Sequence, residues 1–364
     1  MSMRNEIIKI ENTLVTNSAT KHGLLEKIKN EIKPSEPLLI PYRKGDMWGF
    51  CDKDKNIVIP CIYDDTYFFR EGLAKVQLNG KYGFINKLGE TIIPCIYDDT
   101  WGFSEGVTVI KLNGKYGFAN KSGKVVVPCT YDSADGVCEG LAMIELNGKH
   151  GFINKSGEVT IPCIYDFADY FSEGLAQIEL NGKWGFINKS GELAISCIYD
   201  YAVDFSEGLA AVALNDKWGF INKVGELVIP CIYDSASNFR EGFARVILEC
   251  IQDGYINKSG EFISKYARNL EKELVKIKLN GKWGFRNKSR ELDIPCIFDE
   301  VWDFREALAS VKLNSKYGFI NKSGELVIPC IYDNANHFRE GLASVKLNGK
   351  DGYISKEGVQ YWED

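Results

Sequence analysis

The stretch KWGFINKSGELAISCIYDYAVDFSEGLAAVALND, at residues 183–216, decides the fold because it recurs along most of the chain. Each copy carries an aromatic–glycine pair or a remnant of one, and seven of the nine intervals between these glycines are 34 residues long. The glycines are Gly49, Gly83, Gly117, Gly151, Gly185, Gly219, Gly254, Gly284, Gly318 and Gly352. Repetition at a fixed period indicates an array in which each unit packs against its neighbours.

Each unit has the pattern of β structure. The segment LAQIEL at residues 175–180 alternates apolar and polar side chains, as a half-buried strand does. Asn181-Gly182 follows directly and predicts a type I′ hairpin turn, which requires positive φ at both residues. KWGFIN then forms a second strand. The run LVIPCIY at residues 227–233 is apolar on both faces and predicts the most buried strand, while its Pro230 predicts a bend or a sheet edge.

These strands predict an all-β array of about nine and a half 34-residue units, each a three-stranded antiparallel meander. Propellers usually close with four to eight four-stranded blades, so we favour an open β-solenoid or superhelix over the alternative, a closed β-propeller-like ring. We assign residues 1–44 to an N-terminal cap, helical and then extended, and residues 45–364 to the array, with an irregular unit near 249–272. The charged residues Lys356, Glu357, Glu363 and Asp364 are expected to discourage further edge pairing.

The repeated runs also carry a resemblance. KWGFINKSGELxIxCIYD and FSEGLAxVxLNGK resemble the WG repeats, also called KWG repeats, of many bacterial proteins, over about residues 45–358. The resemblance implies a bacterial, all-β repeat array without known catalytic residues. Asp253-Gly254, Asp351-Gly352 and the shortened unit after Gly260 depart from the pattern.

Composition excludes several classes of function. A net charge of -6 provides no basic field for nucleic acid, so we expect no nucleic-acid partner. Without 18 consecutive apolar residues or a signal-peptide pattern, we expect no membrane span and a cytoplasmic location, with non-standard export left open. Eleven cysteines, an odd number, favour a reducing compartment. Nothing in the sequence indicates the oligomeric state.

The repeated polar residues point to structure rather than chemistry. Three His residues in unrelated repeat positions build no metal motif, so we predict no metal, no cofactor and no enzyme activity. Cysteines recur between Pro and Ile, where small core residues are expected, whereas Cys51, Cys138 and Cys250 are expected to be exposed thiols. The recurring Asp of Tyr-Asp and Glu of Glu-Gly are predicted to cap turns rather than form a metal ladder.

Function is expected where the copies differ, which is the loop after Tyr-Asp. We predict a non-enzymatic protein-binding or scaffold protein that presents these loops to an unidentified protein partner. The alternative is a propeller-like receptor for a glycan or small molecule, with Tyr67, Trp101 and Trp302 stacking on the ligand. That the loops are merely tolerant surface also stays open. The candidate binding residues are Tyr67, Phe68, Trp101, Asp135, Asp169, Tyr170, Trp302, Asp303 and His337, with Lys265 and Arg268 from the irregular unit.

Overall fold

The computed structural model describes residues 38–248, 252–264, 274–287 and 292–364. Within these residues the protein consists of 38 strands in ten sheets, eight of four strands and two of three. The predicted helical part of the N-terminal cap lies outside the described residues. Residues 40–44, which we assigned to the end of the cap, form the first strand of the first sheet.

The strands follow one another along the chain with short turns between them. They begin with β1 (Ile40–Lys44), β2 (Met47–Cys51), β3 (Ile57–Tyr63), β4 (Asp65–Thr66), β5 (Leu73–Leu78), β6 (Lys81–Asn86), β7 (Thr91–Tyr97), β8 (Asp99–Thr100), β9 (Val107–Leu112), β10 (Lys115–Asn120), β11 (Val125–Tyr131), β12 (Ser133–Ala134), β13 (Leu141–Leu146), β14 (Lys149–Asn154), β15 (Val159–Tyr165), β16 (Phe167–Ala168), β17 (Leu175–Leu180), β18 (Lys183–Asn188) and β19 (Leu193–Tyr199). They continue with β20 (Tyr201–Ala202), β21 (Leu209–Leu214), β22 (Lys217–Asn222), β23 (Leu227–Tyr233), β24 (Ser235–Ala236), β25 (Phe243–Leu248), β26 (Gln252–Asn257), β27 (Phe262–Ser264), β28 (Leu274–Leu279), β29 (Lys282–Asn287), β30 (Leu292–Phe298), β31 (Glu300–Val301), β32 (Leu308–Leu313), β33 (Lys316–Asn321), β34 (Leu326–Tyr332), β35 (Asn334–Ala335), β36 (Leu342–Leu347), β37 (Lys350–Ser355) and β38 (Trp362–Glu363).

We number the sheets along the chain. Sheet 1 has the order β3-β2-β1-β38, and sheets 2 to 6 are β4–β7, β8–β11, β12–β15, β16–β19 and β20–β23. Sheets 7 to 10 are β24–β27, β28–β30, β31–β34 and β35–β37. A typical unit therefore contains a fourth, two-residue strand directly after Tyr-Asp, such as β8 beside β9. The prediction of three strands per unit was one strand short, because two residues are too few to show a period.

Two tight turns shape each unit, and both need positive φ at consecutive residues. Asn79 and Gly80, with φ of 53° and 74°, form the predicted hairpin turn between β5 and β6. Glu71 and Gly72, with φ of 51° and 87°, form a second such turn before β5. The flanking Arg70 and Leu73 exchange backbone hydrogen bonds across it. The loop predicted after Tyr-Asp is thus partly a tight turn.

The glycine of the aromatic–glycine pair allows one strand to approach another closely. A Cβ on Gly219 would lie 2.5 Å from the carbonyl oxygen of Ile229. The register between β22 and β23 shifts here, because β23 bulges at Pro230. Any side chain at Gly219 would push the bulge away, which explains why the glycine recurs.

The proline-containing strand is the outer edge of its sheet and not the most buried strand. In β23, Ile229 and Tyr233 are buried, but Leu227 is 55% exposed and Ile232 is 46% exposed. The prediction of full burial was wrong, whereas the sheet edge inferred from Pro230 is confirmed. The apolar residues of its outer face have no neighbouring strand to cover them.

The cysteines also differ from expectation. The column cysteines of these edge strands are half-buried, and burial raises the pKa of thiols such as Cys197. Cys51, expected to be exposed, is fully buried, and burial raises its pKa to about 12. Cys138 is half-buried, while Cys250 lies outside the described residues.

The core lies between neighbouring sheets rather than within a single one. Phe186 of sheet 5 packs edge-on against Phe205 of sheet 6, with ring centroids 4.8 Å apart. Phe220 of sheet 6 makes the same contact with Phe239 of sheet 7, also at 4.8 Å. All four rings are almost completely buried. Each sheet thus depends on the next for its stability, as expected for a repeat array.

The two ends of the array meet. The final strand β38 pairs in parallel with β1, with Arg43 opposite Trp362 and Lys44 opposite Glu363, and so completes sheet 1. The open-solenoid prediction is therefore wrong, and the closed alternative is the arrangement found. The charged terminus does not block edge pairing, because Glu363 forms an ion pair with Lys44. Closure depends on the rotation between successive units, which the repeat sequence does not reveal.

Candidate functional site

In most units the Glu of the Glu-Gly turn ties neighbouring sheets together. Glu139 holds a φ of 51°, an uncommon value for a residue other than glycine. Its carboxylate accepts a hydrogen bond of 2.9 Å from the backbone N–H of Gly174 in the next sheet, and it forms an ion pair of 3.0 Å with Lys189. Glu173 makes the same pair of contacts with Gly208 and Lys223. The eight Glu residues at this repeat position all have a positive φ. These residues are therefore structural parts of the repeat.

The Asp of Tyr-Asp caps a turn, as predicted, but a more distant one. Asp200 accepts a hydrogen bond of 2.7 Å from the backbone N–H of Asn215, at the hairpin turn of the same sheet. It also receives a hydrogen bond of 2.6 Å from Lys183 of the preceding sheet. These bonds, that of Lys183 above all, lower the pKa of Asp200. Among the described residues no group of three or more His, Cys, Asp or Glu side chains could hold a metal ion.

Two candidate binding residues, Tyr67 and Trp101, line one cleft between sheets 2 and 3. The cleft has a volume of about 410 Å³. Lys75 also lines it, and its Nζ is 4.1 Å from the ring centroid of Tyr82 and 2.9 Å from Asp99. Tyr67 is 44% exposed and Trp101 is 37% exposed. The cleft therefore offers two accessible aromatic faces beside a cation already balanced by a carboxylate.

Phe68 and His337, two further candidates, line a second cleft of about 240 Å³ where the ends of the array meet. Phe68 belongs to sheet 2 and His337 to sheet 10. The ring of Tyr353, in β37, lies 4.8 Å from that of Phe68. These candidates are far apart in the sequence, and the closure of the array brings them together.

Asp169 and Tyr170 lie beside a buried carboxyl group that the candidate set omits. Asp204 is 9% exposed and is hydrogen-bonded to the Tyr170 hydroxyl. Gln177 donates a hydrogen bond of 3.1 Å to Asp169. Burial, with the nearby charge of Asp169, raises the pKa of Asp204 to about 6. The sequence signal was present, since Asp204 occupies the repeat position of Tyr170.

The remaining candidates lie apart from these clusters. Trp302 stacks on Tyr317 at 5.4 Å, and the Asp303 carboxylate forms an ion pair of 3.1 Å with Lys276. Asp135 accepts a hydrogen bond from the next backbone N–H and belongs to neither of the two clefts. Lys265 and Arg268 lie outside the described residues. The described part of the chain contains no helix with the length and apolarity needed to cross a membrane.

Sequence reasoning missed two arginines, Arg70 and Arg339. Both precede a Glu-Gly turn, both are exposed, and both line the cleft at the closure. The signal was available, because this position carries Arg in some copies and Ser or Cys in others.

Comparison with known proteins identifies the repeat. Nine segments match the family model described as WG containing repeat, namely residues 48–82, 82–116, 116–149, 151–184, 184–218, 218–249, 254–283, 283–317 and 317–350. No curated protein matches the chain.

Similarity to solved structures is low. A structure titled "Crystal structure of the eukaryotic initiation factor" aligns with a TM-score of 0.48 at 10% identity, covering 90% of this chain and 95% of that chain. The computationally designed Ika8 protein aligns with a TM-score of 0.36 at 9% identity, covering 82% and 95%. BamB from Moraxella catarrhalis gives 0.34 at 9% identity, with the same coverage of 82% and 95%. Similarity at this level carries no information about function.

Proposed function

The chain belongs to the family of WG containing repeat proteins, and from that premise we propose that it is a non-enzymatic binding or scaffold protein that holds a protein partner with its variable loops. The proposal rests on the difference between the repeated polar residues, which support the fold, and the aromatic residues of the variable loops, which stay exposed. The repeated Asp and Glu side chains bond to turns and neighbouring sheets. Tyr67, Trp101 and Trp302 instead remain 44%, 37% and 38% exposed. Exposed aromatic residues are enriched at protein interfaces.

The absence of enzyme activity is part of the proposal. Its support is that most described copies of the repeated Asp and Glu have structural partners, as Asp200 does with Asn215 and Lys183. The proposal also places the protein in the cytoplasm of a bacterial cell. The ten cysteines among the described residues are free thiols, as is usual in a reducing compartment. Cell fractionation tests this location.

Affinity capture followed by mass spectrometry tests the binding function. The baits are the full chain, a Trp101→Ala/Trp302→Ala variant and an Ile198→Ala/Leu227→Ala control. The control residues are also exposed, at 55% each, but lie in edge strands away from the loops. We expect a partner that wild type and control retain and the loop variant loses, because interface tryptophans commonly contribute about 2 kcal/mol or more. A set of captured proteins identical for all three baits would contradict the proposal.

A glycan or small-molecule receptor is the second candidate. The cleft of about 410 Å³ between Tyr67 and Trp101 favours it, since that volume falls in the range of ligand sites. Titration of soluble oligosaccharides, followed by tryptophan fluorescence, tests this function. A saturable change that Trp101→Ala removes would support it, and an unchanged spectrum up to millimolar concentrations would count against it.

A further inference from the structure

The residue before each Glu-Gly turn decides how tightly neighbouring loops are joined. Ser172 and Ser206 each donate a side-chain hydrogen bond of 2.8 Å to a loop carbonyl of the next sheet, at Phe205 and Phe239 respectively. Ser104 donates a similar bond of 2.7 Å to Val137. These short side chains close the space between sheets 3 and 4, 5 and 6, and 6 and 7.

Arginine at the same position makes no such bond. The Arg copies in the described residues are Arg70, Arg240, Arg305 and Arg339. Arg70 lines the clefts of about 240 and 410 Å³, and Arg305 lines another of about 410 Å³ in which sheets 7, 8 and 9 take part. These cavities thus occur where arginine replaces the short hydrogen-bonding side chain.

The closure of the array is a second reason, besides the arginines, why cavities form between neighbouring loops. In sheet 1 the strands β38 and β1 come from opposite ends of the chain, so no Glu-Gly turn joins them. The cleft of about 240 Å³ lies here, between the loops of sheets 10 and 2. A neighbouring cavity of about 300 Å³ is lined by Leu38 and Phe68. Phe68 lines this cavity and both clefts that contain Arg70, so the three adjoin one side chain.

We call these three cavities the seam groove and define it by six of its lining residues. They are Leu38, Phe68, Arg70, Trp101, His337 and Arg339. Its walls include the aromatic rings of Phe68, Trp101 and Tyr353. Arg70 lines both the cleft of about 240 Å³ and that of about 410 Å³, so its guanidinium group has aromatic rings beside it in each.

The groove contains two arginines that form no ion pair within the described part of the chain. No carboxylate of the described residues lies within ion-pair distance of the guanidinium groups of Arg70 and Arg339, both of which are exposed. Two acidic residues, Glu340 and Glu71, also line the groove, and Glu71 is paired with Lys121. The chain as a whole has a net charge of -6, opposite in sign to these two side chains. Arginine favours carboxylate ligands because its planar fork binds them through two parallel hydrogen bonds.

We propose that the seam groove binds an acidic peptide segment of a protein partner, with carboxylates on Arg70 and Arg339 and a large apolar side chain in each flanking cleft. This inference rests on the proposed binding function and names the chemistry of its partner. Residues 1–37, which precede Leu38, contain six basic and five acidic residues. They have no excess of acidic residues, whereas the two arginines favour an acidic ligand. We therefore expect the acidic segment to come from another protein.

A fluorescein-labelled probe peptide, Glu-Phe-Glu-Glu-Phe-Glu, tests the inference by fluorescence anisotropy with the full chain. We expect saturable binding that weakens as NaCl is raised, because exposed charge pairs are screened by salt. Arg70→Ala and Arg339→Ala should each weaken binding about fivefold, the equivalent of roughly 1 kcal/mol. Glu340→Gln should strengthen it, since it removes a like charge from the rim.

Arg240→Ala is the matched control, because Arg240 also precedes a Glu-Gly turn but lines none of the three cavities. It should bind the probe as the wild type does, and thermal melts should confirm that every variant is folded. A probe with Lys in place of Glu, and one with Ala in place of Phe, should not bind. Any of four results would overturn the inference: no binding at 1 mM, equal binding of the Lys probe, equal loss in Arg240→Ala, or full competition by an oligothymidylate of the same charge.

The two proposals fail separately. If partner capture depends on Trp302 but the probe does not depend on Arg70 or Arg339, the groove is refuted and the binding function stands. If the probe depends on both arginines while no loop variant alters capture, the groove stands and the proposed use of the variable loops is refuted.

Discussion

Asp364, the last residue of the chain, forms an ion pair with Arg43 of the first strand, with Oδ1 and Nη2 separated by 3.0 Å. Arg43 is only 4% exposed, and its Nε also donates a hydrogen bond of 2.9 Å to the backbone carbonyl of Asp351. A single buried side chain thus holds the N-terminal strand to two parts of the C-terminal unit.

Replacing Arg43 should weaken the closure. Arg43→Ala removes a buried side chain and its hydrogen bonds to Asp351 and Asp364, so we expect a loss of about 2 kcal/mol in the free energy of unfolding. Lys44→Ala is the control, since Lys44 forms an ion pair whose side chain is 68% exposed, and it should change stability by less than about 0.5 kcal/mol. Urea denaturation followed by tryptophan fluorescence measures both. Equal losses would mean that Arg43 has no special role in closure.

Removing β38 should open the array. Deletion of residues 359–364 takes away the strand that pairs with β1 and leaves an unpaired edge. Small-angle X-ray scattering should then report a larger radius of gyration than for the full chain at the same low concentration. An unchanged scattering curve would show that side-chain packing alone keeps the ends together.

The glycine of the aromatic–glycine pair should not tolerate a methyl group. Gly219→Ala places Cβ 2.5 Å from the carbonyl oxygen of Ile229, so we expect destabilisation of roughly 3 kcal/mol. Gly136→Ala is the control, because its Cβ would meet no atom within 4 Å. Thermal melts should therefore show a clear loss for the first variant and almost none for the second. Similar melting temperatures for both would contradict the close-approach explanation.

One unit has Glu-Ala in place of Glu-Gly, and introducing the glycine there should increase the stability of the protein. Ala307 follows Glu306 and adopts a φ of 73°, where most copies have glycine. Ala307→Gly should stabilise the protein by about 1 kcal/mol, because it relieves a left-handed conformation that costs a Cβ-bearing residue energy. The reverse change at the equivalent position, Gly341→Ala at a φ of 82°, should destabilise it by a similar amount. Changes of the same sign in both variants would refute this explanation.

Asp204 should make stability depend on pH in an unusual direction. Its pKa is raised to about 6, mainly by burial, so the folded state binds the proton more tightly than the unfolded chain does. Stability should therefore fall as pH rises from about 4 to 6, since deprotonation leaves a buried charge beside Asp169. Asp204→Asn should abolish this dependence and melt higher than the wild type at pH 8, with little difference at pH 4.

Asp166 provides the contrasting case. Its hydrogen bond with Lys149, above all, lowers the pKa of Asp166, so its stabilising contribution is present at neutral pH and is lost as pH falls below about 4. Asp166→Asn should therefore melt lower than the wild type at pH 8. If both variants shifted in the same direction at pH 8, the assignment of opposite pKa shifts would be incorrect.

Local features of this protein could be read directly from the chain. The turn at Asn79 and Gly80 was predictable because type I′ geometry restricts the residues that fit. The Glu71-Gly72 turn has the same geometry but was not recognised, because Glu is not a residue that favours positive φ. Its Glu is retained for a contact with the neighbouring sheet, which no single unit displays.

The candidate site was predictable in part. The exposure of Tyr67, Trp101 and Trp302 follows from their positions in variable loops. The juxtaposition of Phe68 with His337 does not, because it requires units at opposite ends of the chain to meet. The importance of Arg70 and Arg339 does not follow from the sequence either, because their lack of carboxylate partners depends on how the sheets pack.

The sequence by itself determined the repeat, its period, its β structure and its hairpin turns, because these depend on residues close together in the chain. It also determined the membership of the WG containing repeat family. Only the tertiary structure decided that β38 completes sheet 1 and that clefts open beside Arg70 and Arg339. Both depend on small rotations and contacts between sheets that add up over ten units, and no local pattern encodes their sum.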